Sequence, residues 1–207
     1  VLNLAGIGVP RGMDGTPFLG DGISLADVAK RDTVFGYADR FDEKYEQVRT
    51  LRIGDWKYMR SFQPYYPDGL QNNYRYLQLA YREWRALFNQ GELNDAQIQF
   101  FQPKPAELLF DLSTDPHEVK NLANAPAHQA RLVAMREQLT DQLKAMPDLS
   151  IYPENVLYDA AMGNPVKYGK EHSEQISELI ETANLMLVPY VDAHPALTAA
   201  LTSDDPY

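Results

Sequence analysis

The stretch that most constrains the fold is residues 47–62, QVRTLRIGDWKYMRSF. Two short runs rich in β-branched and aromatic residues, 48–53 and 56–60, flank Gly54-Asp55, a two-residue link suited to a tight β-hairpin turn. A turn that tight sets Ile53 opposite Trp56 and Leu51 opposite Tyr58 on one apolar face. Thr50, Met59, Arg52 and Lys57 then share the other face, where Arg52 opposite Lys57 predicts water or carboxylates nearby. A lone hairpin is marginal in water, so another strand and a helix must join it. Residues 107–112, ELLFDL, supply the strand. Residues 126–146 supply the helix, with Leu132, Met135, Leu139, Leu143 and Met146 at spacings of three and four before Pro147 stops it. The expected class is α+β: a small antiparallel sheet (the hairpin plus an added strand) packed on a long helix and followed by an α-helical segment.

Taken in order, residues 1–5 read as the end of a buried helix capped by Gly6, followed by an irregular connection through Met13-Asp14-Gly15. Residues 24–30 predict a short helical turn, TVFGY at 33–37 a strand, and DRFDEKYE at 39–46 a charged loop entering the hairpin. Between the hairpin and the next strand, residues 63–105 form a long excursion with helical spacing at 74–89 and a second short helix at 94–101. Asp115-Pro116-His117-Glu118 has the composition of a helix start. Residues 148–172 lack a clear period, as a linker or extended arm would. Residues 173–188 predict an amphipathic helix with Ile176, Leu179, Ile180, Ala183 and Leu187 on one face, and 195–202 a further short helix. Ser203-Asp204-Asp205-Pro206 again has the character of a helix start. The chain thus reads as a piece of a longer polypeptide.

Composition narrows the functional classes. With 29 Asp+Glu against 19 Lys+Arg, dispersed along 207 residues, the net charge of -10 argues against nucleic-acid binding, which draws on clustered cations. The absence of cysteine excludes disulfides, thiolate metal sites and a cysteine nucleophile. No apolar run is long enough to span a membrane. His117, His128, His172 and His194 are scattered, outside any metal-ligand spacing, and no nucleophile-elbow or phosphate-loop motif occurs. One charged cluster stands out: Asp39, Arg40, Asp42, Glu43 and Lys44, set between a strand and the hairpin. It is either a salt-bridged surface loop or a contact loop for a polar ligand.

In this order, VLNLAGIGVPRGMDGTPFL, VFGYADRFDEKYEQVRTLRIGDWKYMRSF and PAELLFDLSTDPHEVKNLA resemble the C-terminal third of the type I (formylglycine-dependent) sulfatases of the alkaline-phosphatase-like superfamily. The matching positions are Arg49, Arg52, Gly54, Lys57 and Tyr58, then residues 107–111, Asp115, Pro116, Glu118, Asn121 and Leu122. The resemblance covers about residues 1–146; the tail from Glu171 resembles, more weakly, the start of a HEAT-like helical region. It implies residues 1–32 as the tail of a catalytic domain, 33–147 as the C-terminal α+β subdomain with the helical insertion 63–105, 148–172 as linker and 173–207 as the beginning of the helical region. It also implies a parent enzyme that hydrolyses sulfate esters or sulfamates of a glycan, using formylglycine and a divalent cation, with calcium the expected ion. The family's C/S-x-P-x-R motif is absent here, so this chain itself is expected to be non-catalytic, without cofactor or catalytic residue. Its expected partners are the N-terminal catalytic domain and, through the parent, a sulfated glycan. The resemblance implies Asp39, Arg40, Asp42 and Glu43 as the substrate-contact candidates, with Arg40 suited to a substrate sulfate or carboxylate and Asp42 or Glu43 accepting from sugar hydroxyls. A secreted parent would be periplasmic or extracellular. Two other readings stay open: a non-catalytic interaction or scaffold module, and part of a phosphoester hydrolase of the same superfamily.

Overall fold

In the computed structural model, residues 1–13 and 15–202 are described. The Asp14 step of the first connection and the helix start at 203–206 lie outside them. The elements run α1 (Leu25–Ala29), β1 (Thr33–Phe41), β2 (Lys44–Ile53), β3 (Trp56–Ser61), α2 (Asn73–Tyr76), α3 (Leu79–Gln90), α4 (Asp95–Ile98) and β4 (Glu107–Asp111). Then come α5 (Gln129–Ala145), α6 (Glu154–Val156), α7 (Pro165–Glu171), α8 (Ser173–Asn184) and α9 (Tyr190–Ala200), so the fold is α+β.

The central hairpin forms in the expected register, with Leu51 opposite Tyr58, Ile53 opposite Trp56 and Gly54 at φ 56. A positive φ at the turn is what a glycine there supplies without strain. β4 adds antiparallel to β3, setting Leu109 beside Tyr58, and β1 adds to β2, giving the sheet order β1-β2-β3-β4. Leu51, Tyr58 and Leu109 are fully buried against Leu132, Met135 and Leu139 of α5, with Ile53, Trp56, Leu122 and Leu143 around them. Burying one such side chain is worth about 1.5–3 kcal/mol, so this layer carries the α+β unit. On the opposite face, Lys57 meets the Glu118 carboxylate at 2.7 Å, as the Arg52/Lys57 pairing predicted.

Several local expectations are corrected. DRFDEKYE is not a loop. β1 continues to Phe41 and β2 starts at Lys44, so Asp42-Glu43 is a second tight turn, with Asp42 at φ 50. Aspartate tolerates that left-handed backbone because its side chain bonds locally. Residues 1–5 end in a short 3₁₀ turn capped by Gly6 at φ 68, but Val1 and Leu4 are exposed rather than buried. No helix starts at Asp115. Glu118 at φ 56 breaks the turn after one step, and the Asp115 carboxylate accepts from the Val119 and Lys120 N–H groups instead. The 74–89 pattern is two helices, α2 and α3, because Gln78 is extended between them. α9 begins at Tyr190 and carries Pro195 inside it, earlier than the 195–202 pattern placed it.

Residues 148–169 have no period because they are a string of short helical turns, including a π-helical one at Leu157–Ala161, along which only scattered residues such as Tyr152, Ala161 and Gly169 are buried. Tyr152 from this string packs with Ile176 and Ile180 of α8 in a second core that also touches Leu143. Leu143 belongs to both cores, so the tail is continuous with the α+β unit. Among the described residues no helix is long and apolar enough to cross a membrane.

Candidate functional site

Strand geometry divides the residues that sequence clusters at 39–46. A register shift between Ala38 and Arg40 puts Asp39 in a bulge, which re-aims its side chain. Its carboxylate lies 2.8 Å from the Arg49 guanidinium and accepts from Ser150 Oγ at 3.0 Å. Arg49 is buried and forms a two-pronged contact with Asp148, Nε to Oδ2 at 2.6 Å and Nη2 to Oδ1 at 3.0 Å. Burial alone would lower the Arg49 pKa; the hydrogen bonds and charge of Asp148, reinforced by Asp39, outweigh it and raise the pKa. Arg40 donates to the Asp42 carbonyl at 2.8 Å and pairs with Glu154. The Tyr45 hydroxyl donates to the Ser150 carbonyl at 3.4 Å, and burial, followed by the Asp39 and Glu154 charges, raises its pKa. Asp39 and Arg40 therefore hold the 148–154 arm.

The turn itself points elsewhere. Asp42 and Glu43 are exposed, and Glu43 Oε1 accepts from the Asn73 backbone N–H at the start of α2. Next along β2, the buried Lys44 ammonium reaches Glu46 at 2.9 Å and Asp68 at 2.7 Å. Lys104 comes in from the far end of the excursion, pairing with Glu46 and, at 3.2 Å, with Asp68. Two lysines and two carboxylates compensate one another in this cluster. Arg75 donates to the Asp68 carbonyl, Tyr76 OH to the Gly69 carbonyl at 2.6 Å, and Arg85 to Gln71 at 2.7 Å. These contacts clamp residues 67–72 beside the Asp42-Glu43 turn. Behind the clamp, Trp84 stacks on Phe100 at 4.3 Å and Phe88 on Phe101 at 4.4 Å. The 63–105 excursion is thus a packed unit held at the tip of the β1–β2 hairpin, with Tyr65 and Tyr66 exposed on it.

Sequence reasoning singled out Asp39, Arg40, Asp42 and Glu43. The structure keeps Asp42 and Glu43 together at the excursion and turns Asp39 and Arg40 to the arm. Sequence reasoning placed Lys44 in the charged cluster but did not reveal its partners Glu46 and Asp68, or Lys104, whose only signal was the placement of charges on either side of the excursion. It also missed Arg60, a buried guanidinium that contacts no carboxylate among the described residues. Arg60 donates to the Ala183 carbonyl at 3.1 Å and lies 4.5 Å over the Phe62 ring, so it caps the last turn of α8. Its burial lowers its pKa. His128, His172 and His194 make ring contacts with Trp56, Tyr168 and Tyr190, His172 stacking on Tyr168 at 4.0 Å, and His117 is exposed. Among the described residues no three of His, Cys, Asp or Glu gather to hold a metal ion, so these residues do not fit the divalent cation of the expected parent.

No family model matches the chain. It is 36% identical over 159 residues to an ulvan-active sulfatase of Formosa agariphila, a match covering 74% of this chain and 26% of that protein. Among solved structures it resembles a 2-O GAG sulfatase, with 22% identity, a TM-score of 0.40, and coverage of 71% of this chain and 23% of that one. The chain is homologous to a sulfatase and spans about a quarter of the length of the curated relative it matches.

Proposed function

We propose that this chain is the C-terminal portion of a type I sulfatase of the alkaline-phosphatase-like superfamily, and that it shapes the pocket in which the parent removes sulfate from a glycan. The observation that carries this reading is the 36% identity over 159 residues to a sulfatase described as ulvan-active, which supports a sulfated glycan as the substrate class. On this reading residues 1–32 end the catalytic domain, 33–147 are the α+β subdomain and 173–207 open a HEAT-like helical region. Residues 148–172, expected as a linker, join the two by packing.

Formylglycine and a divalent cation, expected to be calcium, would supply the attack on the sulfate ester from the N-terminal catalytic domain. The residues here have a positioning role. Asp42 and Glu43 present carboxylate oxygens at an exposed tip, where they accept from sugar hydroxyls. Asp39 and Arg40 fix that tip by gripping the arm, and the Lys44–Asp68–Lys104–Glu46 cluster fixes the excursion beside it. Fixing the supporting shell matters because contacts misplaced by about 1 Å cost rate heavily, on the order of a hundredfold.

The test is sulfate release from sulfated polysaccharides, read by ion chromatography, for the chain joined to its catalytic domain and for residues 1–207 alone. The joined polypeptide should release sulfate and residues 1–207 should not. Release by residues 1–207 alone would contradict the reading. So would a joined polypeptide that cleaves phosphoesters and leaves every sulfated glycan intact.

A further inference from the structure

On the sheet face turned away from α5, Met59 of β3 lies beside Leu108 of β4, and Phe110 beside Lys57. Side chains alternate along a strand, so these project opposite to Tyr58 and Leu109. Met59, Leu108 and Phe110 line a groove of about 470 Å3. One wall is the 99–105 segment, with the Phe100 ring, Pro103 and Pro105; the other is the turn carrying Glu118, Val119 and Asn121. Gln99 Nε2 donates to the Val119 carbonyl at 3.1 Å and ties the walls together.

The rim chemistry is lopsided. Lys104 is committed to Glu46 and Asp68, and Lys57 to both oxygens of Glu118, at 2.8 and 2.7 Å. Neither cation is left for an anionic ligand. Acceptors are left over. Among the described residues Lys44 and Lys104 converge on Oδ1 of Asp68, leaving its Oδ2, and Gln99 spends an N–H on Val119, leaving its Oε1. The exposed Gln102 adds a further amide. Asn121 is consumed by the backbone: its Oδ1 accepts from Leu109 and Ala123 N–H groups, and its Nδ2 donates to the Glu107 carbonyl. An apolar floor under a rim of spare acceptors, without a spare cation, complements a molecule with an apolar C–H face and several hydroxyl donors.

We propose that this groove is a subsite for an uncharged sugar unit of the glycan and discriminates against units that carry sulfate or carboxylate. The inference rests on the sulfatase reading above for the identity of the polymer. The charge argument favours a sugar over a peptide segment, whose backbone brings as many acceptors as donors.

The test is binding of neutral, sulfated and uronate-bearing oligosaccharides to residues 1–207 on an array, followed by calorimetry with the neutral oligosaccharide that binds best. Val119→Trp inserts an indole into the groove from a wall position that is exposed, so the core is untouched. It should weaken neutral-sugar binding by about tenfold or more, the equivalent of about 1.4 kcal/mol, with an unchanged melting curve. Gln102→Ala, at an exposed position, should weaken it in the same direction and serves if the tryptophan variant does not fold. The proposal is overturned if no neutral oligosaccharide binds, if sulfated chains bind more tightly, or if both variants bind as the parent sequence does. Sulfate release by the joined polypeptide tests the sulfatase reading, and sugar binding by residues 1–207 tests the groove, so either can fail without the other.

Discussion

Asp148→Ala should be the most damaging single truncation of a charged side chain in the molecule. The Arg49 side chain is 4% exposed and that of Asp148 13%, and the two meet through paired contacts of 2.6 and 3.0 Å. Removing the carboxylate leaves a buried guanidinium with Asp39 alone, and breaking a buried pair from one side costs about 3–5 kcal/mol. Because Asp39 stays at 2.8 Å, the lower end, about 3 kcal/mol, is the expected loss. For a chain of this size that is a drop in melting temperature of roughly 6–12 °C. Calorimetry gives the shift, and amide exchange gives its location. Protection across residues 149–156 should fall first, because the Asp148 and Asp39 carboxylates seat Ser150, two residues before Tyr152 enters the second core. The double variant Arg49→Met/Asp148→Leu removes both charges and should recover much of the loss. A shift of Asp148→Ala under roughly 3 °C, or a double variant less stable than both singles combined, would refute the reasoning.

Further expectations concern the core, the excursion and pH. Leu109→Ala empties a fully buried site between sheet and α5, and should cost about 2–5 kcal/mol by denaturant titration. Gly69→Ala would place a Cβ 2.4 Å from the Phe101 ring and 3.1 Å from the Phe100 carbonyl. It should destabilise by about 1–3 kcal/mol and raise proteolysis within residues 63–105, leaving the sheet intact. Burial alone would raise the Asp68 pKa, but Lys44 and Lys104 outweigh it and hold the carboxyl below the ordinary aspartate range. A carboxylate with a lowered folded pKa adds stability above its unfolded value, near about 3.9, and loses it as pH falls through the folded value. Denaturation series between about pH 5 and pH 2 should therefore show a shallower acid loss in Asp68→Asn than in the parent sequence.

What was legible in the sequence was local. Gly54-Asp55 between two apolar runs specified its turn and register, and the three-and-four spacing from Leu132 to Leu143 specified α5. The β1–β2 hairpin was hidden because its turn, Asp42-Glu43, has no glycine or asparagine and its strands are charged. Asp39, Lys44, Glu46 and Arg49 face ion pairs rather than solvent, which blurs the alternation of apolar and polar residues. Asp115-Pro116 carried helix-start chemistry, yet the Glu118 carboxylate gains Lys57 only if the chain turns away at a positive φ. Adjacency in sequence also misled the reading of the site. Asp39 and Arg40 look like neighbours of Asp42 and Glu43, but their partners Ser150 and Glu154 lie more than a hundred residues away. No periodicity encodes contacts of that range.

The central claim is that this chain positions a glycan for chemistry performed by another part of the parent enzyme. The measurement that tests it most directly is kcat/KM of the joined polypeptide and its Asp42→Ala variant on two substrates, a sulfated polysaccharide and a small aryl sulfate. The account predicts a loss of about tenfold or more on the polysaccharide with the aryl sulfate unchanged, since on the proposed reading the exposed tip would meet only an extended substrate. Equal losses on both substrates, or no loss on either, would contradict it.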